Sequence, residues 1–193
     1  IFEAKIIDFD LVHITNNDVT GNNHFLYVYS IRNADLIFRG NVFHDVQVSP
    51  YNNSYFIQFV HTRPEITLED NTFCNFNNSG VSYNDILTIF LSDGREYAIN
   101  YINCSFINIT NDKDYGGVIR HTYSAKINLN FLDCLFYRNQ CVEHIGGALY
   151  IKIEKDILIS NCTFQDNYAL SMSSAIYIDC KNSSLLINII VPD

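Results

Sequence analysis

The sequence predicts an all-β chain wound as a right-handed parallel β-helix, a solenoid of about six coils with three short strands in each. Three observations predict it. A phenylalanine returns at a near-fixed interval: Phe43, Phe73, Phe106, Phe136 and Phe164 are 30, 33, 30 and 28 residues apart, and His13 stands 30 residues before the first. The text around three of these anchors is nearly the same: Asn103-Cys104-Ser105-Phe106, Asp133-Cys134-Leu135-Phe136 and Asn161-Cys162-Thr163-Phe164. Apolar residues between the anchors alternate with period two and are rich in Ile, Val, Tyr and Phe. A self-similar period near 30 marks a solenoid, whose repeats bury their apolar faces only against each other. Paired-helix repeats share that period, but the spacing of two and the scarcity of Ala argue for strands. A β-sandwich has strands of this length without needing its inward residues to recur.

The elements follow in order around each coil. The first strand ends in the Phe anchor, with His13 as the expected first member of the series. The second is an alternating run whose register points are Leu26, Ile57, Leu87, Ile119, Leu149 and Ile176. The third comprises Leu36-Ile37-Phe38, Ile66-Thr67-Leu68, Tyr97-Ala98-Ile99, Ile127-Asn128-Leu129, Ile157-Leu158-Ile159 and Leu185-Leu186-Ile187, and leads into the next Phe strand. Stacked rungs about 4.8 Å apart would make six coils a rod of roughly 29 Å, and parallel crossovers are right-handed. Alternation sets the faces: Cys104, Cys134 and Cys162 go inward with their phenylalanines, whereas Asn103 and Asn161 go outward. In the second run one outward column is Tyr27, Gln58, Thr88, Arg120, Tyr150, Tyr177, and the next is Tyr29, Val60, Phe90, Thr122, Lys152, Asp179.

The chain has 193 residues, 48% apolar and 17% charged, enough for one folded segment over 1–193. Its net charge is −9 with 12 Lys+Arg and no basic cluster, so nucleic acid and anionic membrane surfaces are poor partners. No apolar stretch is long enough to span a bilayer. The apolar run at 185–191 and the start at Ile1 suggest a piece of a longer solenoid.

Two coils carry a paired motif. Phe136-Tyr137-Arg138-Asn139 is followed by Gly146-Gly147-Ala148-Leu149, and Phe164-Gln165-Asp166-Asn167 by Ser173-Ser174-Ala175-Ile176. A third coil keeps Gly116-Gly117-Val118-Ile119. F-x-x-N with G-G-A-[ILV] resembles the repeats of the polymorphic outer-membrane proteins and their relatives on protist surfaces. The resemblance covers about residues 103–190 by motif and the rest by spacing. It implies a secreted or surface β-helix associated with adhesion. On physical grounds the glycines permit a tight bend, and the asparagines tolerate left-handed turns and can stack into amide ladders.

Six N-x-[ST] sequons, at Asn52, Asn77, Asn103, Asn108, Asn161 and Asn182, are candidate glycosylation sites of an extracellular or cell-surface protein. Cys104, Cys134 and Cys162 read as small buried apolar residues or as one cross-rung disulfide. Cys74, Cys141 and Cys180 lie near turns. No C-x-x-C occurs, which disfavours zinc, and Asp10, Asp70 and Asp133 are too dilute in their column for calcium. The polar stretch Asn111-Asp112-Lys113-Asp114 reads as a solvated loop. Neither a cofactor nor a catalytic residue is expected. Polysaccharide-active β-helices need an acid–base cluster on one outward face, and this sequence offers Arg120 alone in its column. The outward residues Tyr27, Tyr29, Phe90, Arg120, Tyr150 and Tyr177 form the candidate binding face. Such aromatics suit sugar stacking or protein contact, or else pack across rungs. The expected role is a non-catalytic adhesive or structural rod. Its partner would be a protein or glycan of a host or neighbouring cell, with end-to-end self-association into a filament and a carbohydrate-active enzyme as the alternatives.

Overall fold

A computed structural model of the chain describes residues 2–4, 11–15, 18–22, 26–29, 35–47, 57–60, 65–78, 87–90, 97–111, 117–122, 127–153, 156–180 and 185–190. Among the described residues all regular structure is strand, and every strand pairing is parallel. Parallel strands cannot be joined by hairpins, so each chain segment must travel round before pairing with its successor. The result is a β-solenoid.

The Phe column forms as the spacing predicts. Phe43 pairs with Phe73, Phe73 with Phe106, Phe106 with Phe136 and Phe136 with Phe164. Their rings stack with centroids 4.8, 5.1, 4.9 and 4.6 Å apart. The first four are fully buried and Phe164 is half-buried. The second-run register points pair as expected too, Leu26 with Ile57 and Ile57 with Leu87, then Ile119 with Leu149 and Leu149 with Ile176. Phe2 extends that ladder by pairing with Leu26.

Two expectations are corrected. His13 is not the anchor before Phe43. Val19 pairs with Phe43, and His13 pairs with Ile37 in the third-run ladder. The cause is coil length: Val19 to Phe43 is 24 residues, so extrapolating a period of 30 overshoots by six. In the third run, Ile99 rather than Tyr97 pairs with Ile66, and Leu129 rather than Ile127 pairs with Ile157. The slip is two residues, an even number, so each residue keeps its inward or outward face.

The paired positions localise the length variation. The step from third-run strand to Phe strand is seven residues in six successive coils: Val12 to Val19, Leu36 to Phe43, Ile66 to Phe73, Ile99 to Phe106, Leu129 to Phe136 and Ile157 to Phe164; the last strand is one residue shorter across the corner, with Leu185 opposite Ile157 and Ile189 opposite Cys162. The step from Phe strand to second run varies, from seven at Val19–Leu26 to fourteen at Phe43–Ile57. Five successive corners hold a left-handed residue: Gly40, Asp70, Asn103, Asp133 and Asn161 have φ of 65, 55, 50, 56 and 55°. Asn, Asp and Gly are the residue types that enter this region at least cost. Four two-residue strands, Asn77–Asn78, Thr110–Asn111, Gln140–Cys141 and Tyr168–Ala169, add a short fourth ladder that the sequence does not signal.

A second inward column faces the phenylalanines: Phe38, Leu68, Tyr101, Phe131 and Ile159 are in register and buried. Tyr101 stacks on Phe131 at 4.7 Å, and Phe131 meets Phe136 edge-on at 6.1 Å. These offset and edge contacts are favoured aromatic geometries.

Candidate functional site

The second run forms two sheets rather than one, Phe2–Ala4 to Leu87–Phe90 and Ile119–Thr122 to Ile176–Cys180, and each carries its part of the predicted outward columns. Arg120, Tyr150 and Tyr177 are register partners, as are Thr122, Lys152 and Asp179. Tyr27 pairs with Gln58 and Gln58 with Thr88; Tyr29 pairs with Val60 and Val60 with Phe90. The side chains of Tyr27, Tyr29 and Phe90 lie outside the described residues. The Tyr150 and Tyr177 rings stack at 5.0 Å and 11°. Lys152 Nζ lies 5.4 Å from the Tyr150 ring centroid and 5.9 Å from that of Tyr177, a cation shared by two rings. One expectation fails here. Tyr150 points outward but is only 4% exposed, with Tyr177 stacked on it and Lys152 across it. It is therefore a support for the face rather than a contact on it. Arg120, Lys152 and Tyr177 are half-buried and reach the surface. Lys152 belongs with this group, and period-two alternation from Tyr150 places it there.

Of the sequons, Asn77, Asn103, Asn108 and Asn161 are exposed, whereas Asn52 and Asn182 lie outside the described residues. Asn103, Asn108 and Asn161 sit in left-handed turns with φ of 50, 55 and 55°. Their amides also link coils. Asn103 Nδ2 donates to Asp70 Oδ1 at 2.8 Å, Asn108 Nδ2 to Asn75 Oδ1 at 2.9 Å, and Asn161 Nδ2 to Asp133 Oδ1. Asn75 Nδ2 in turn donates to Asp45 Oδ1 at 3.0 Å. A bond from His44 and then one from Asn75 hold the Asp45 carboxyl below its usual range.

Inside the fixed corner runs a buried ladder. Asn71 Oδ1 accepts from the Asn41 backbone N–H at 3.1 Å, and Asn71 Nδ2 donates to the Phe38 carbonyl at 2.8 Å. Cys104, Cys134 and Cys162 occupy the same place in the following coils. Their thiols donate to the carbonyls of Leu68, Tyr101 and Phe131 at 3.3, 3.4 and 3.4 Å. All three are buried and free of disulfides. A thiol thus replaces the amide as donor to the preceding coil.

The F-x-x-N asparagines do the same at the next corner. Asn139 Nδ2 donates to the Phe106 carbonyl at 3.0 Å while its Oδ1 accepts from Ile109 N–H at 3.2 Å. Asn167 Nδ2 donates to the Phe136 carbonyl at 2.9 Å, and its Oδ1 accepts from Asn139 N–H at 3.0 Å. The motif spacing places the amide three residues beyond the ring so that it reaches the Phe carbonyl one rung back. The glycine pair has two distinct jobs. Gly146 adopts φ of 78°. Gly117 and Gly147 allow backbone contact: a Cβ would lie 1.9 Å from the Gly147 carbonyl oxygen and 1.8 Å from that of Ser174, respectively. Ser173, at φ 55°, is a non-glycine left-handed residue in the degenerate Ser-Ser coil.

Arg120 and His121 diverge as alternation requires. His121 is buried, with Nε2 3.3 Å from Tyr101 Oη, and burial pushes its pKa down to about 4. Asn111 is also buried, so it is part of the packed ladder and not of a solvated loop. Among the described residues no group of three or more His, Cys, Asp or Glu side chains converges to hold a metal ion, and no helix is long and apolar enough to cross a membrane. No family model matches the chain, and no curated protein or solved structure is similar to it. The resemblance to polymorphic outer-membrane repeats rests on the motif residues alone.

Proposed function

We propose that the chain is a non-catalytic segment of an extracellular or cell-surface solenoid, wound right-handed in about six coils. It acts as an adhesive or structural rod that presents the outward face of its second-run sheet to a protein or glycan. The observation that carries the reading is the Arg120–Tyr150–Tyr177 column with Lys152 beside it. A rigid parallel ladder holds a tyrosine ring and two cations in fixed register, supported from beneath by the covered Tyr150. Such preorganised aromatic and cationic groups bind sugars or protein surfaces with little loss of side-chain freedom. The exposed sequons Asn77, Asn103, Asn108 and Asn161 support an extracellular setting.

The test compares the parent with a Tyr177→Ala/Arg120→Ala double variant. Binding to intact cells and to a panel of extracellular glycans is measured beside the melting curve of each protein. Loss of binding by tenfold or more with an unchanged melt is the expected result. Equal binding by the two proteins would remove the face from consideration.

A further inference from the structure

The buried cysteine column has a property that its packing role does not use. Cys104, Cys134 and Cys162 lie one above another, because Leu135 N–H bonds the Cys104 carbonyl and Thr163 N–H bonds the Cys134 carbonyl, each at 2.8–2.9 Å. Adjacent rungs are about 4.8 Å apart. Two thiolate–metal bonds of about 2.3 Å, the length known for the closed-shell zinc ion, laid end to end span about 4.6 Å. The file therefore fits a linear S–metal–S unit between neighbours. It does not fit a tetrahedral site, since three sulfurs in a row cannot converge on one point.

One backbone donor in the column is aimed at sulfur. The Cys134 backbone N–H points at Cys162 Sγ, 3.4 Å away, as the Asn41 N–H points at Asn71 Oδ1. A backbone donor aimed at sulfur favours the ionised form. The surroundings are apolar and closed to water, which suits soft sulfur–metal bonding.

We propose that Cys134, with either Cys104 or Cys162, forms a two-coordinate site for one thiophilic closed-shell cation of the copper(I) type. On binding, two S–H bonds break, two protons leave to solvent, and two S–metal bonds form. The product carries a single negative charge, which the backbone N–H donor partly offsets. No oxidation is involved. Because both possible pairs share Cys134, the file holds one ion and not two.

Substitution by asparagine separates this site from the fold, because Asn41 and Asn71 fill the same column and Asn71 makes the same bond to the preceding coil. Copper(I) is titrated anaerobically, with reductant, against a chromophoric copper(I) chelator, after full equilibration. The parent, Cys104→Asn and Cys162→Asn are each expected to take one equivalent, and Cys134→Asn none. A folded Cys134→Asn variant that still takes an equivalent, or a parent that takes none, overturns the proposal. Should Cys134→Asn fail to fold, X-ray absorption of the copper-loaded parent decides. Two sulfur neighbours near 2.3 Å and no other ligand are required, and three sulfurs or a nitrogen or oxygen ligand would reject the site.

Discussion

His121 makes the stability of this solenoid depend on pH in a calculable way. Its ring is buried between the second-run and third-run sheets, and its one described polar contact is Tyr101 Oη at 3.3 Å. Burial disfavours the imidazolium, so the folded pKa falls from 6.5 to about 4. Between those values the unfolded chain binds a proton that the folded chain refuses. Stability is therefore complete above about pH 6.5, falls as pH drops toward 4, and is flat in this group below that. One pKa unit is worth about 1.4 kcal/mol, so the full loss is about 3 kcal/mol. Carboxylates also titrate near the bottom of this range, and a His121→Gln variant isolates the histidine. Urea unfolding of both proteins from pH 7.5 to 4.5 should show the parent losing about 2–3 kcal/mol more than the variant. A parent–variant difference that stays constant with pH would refute the buried neutral imidazole.

Other substitutions separate the ladders by their energetic weight. Phe106→Ala removes a ring stacked on both sides and should cost about 3–5 kcal/mol in chemical denaturation, through the cavity it leaves. Asn139→Ala should cost about 1–3 kcal/mol, because it strands the Phe106 carbonyl and the Ile109 N–H out of reach of water. The exposed rung partner Asn103→Ala loses a solvent-screened bond and a favoured left-handed residue, and should cost no more than about 1 kcal/mol. Gly147→Ala drives a Cβ to 1.8 Å from a backbone oxygen, so its melting temperature should fall well below that of the parent; an unaltered melt would show that the coils are not in this backbone contact.

Most of the architecture was legible because solenoid stacking writes itself into sequence. Like residues lie on like, so the Phe column and the second-run register could be read from spacing alone. What failed has a physical cause. The coil from Val19 to Phe43 is shorter than the others, and a fixed period cannot reveal that. The third-run slip arose because alternation constrains which face a residue takes but not which rung it joins. The side face was half legible. Alternation put Tyr150 and Tyr177 outward, but outward is not the same as exposed once neighbours of similar size stack on each other. The asparagine-to-cysteine replacement was the least legible feature. The cysteines read as small apolar residues, and only the hydrogen bonds reveal them as donors standing in for amides.

The seven-residue corner has a consequence for how such a rod can vary. That turn is tied at both ends, by the left-handed residue outside and by the amide or thiol inside, and it keeps its length from Val12–Val19 to Ile157–Phe164; the strand beyond, Leu185–Ile190, drops one residue there and still pairs on both sides of the slip. The opposite connector already ranges from seven to fourteen residues without disturbing the stack. The step from second run to third run changes too, from eight residues at Leu149–Ile157 to twelve at Leu87–Ile99, so girth is adjustable on either side of the second run, and a foreign peptide spliced between Phe strand and second run should be carried as cargo while the spine beneath it keeps its pitch.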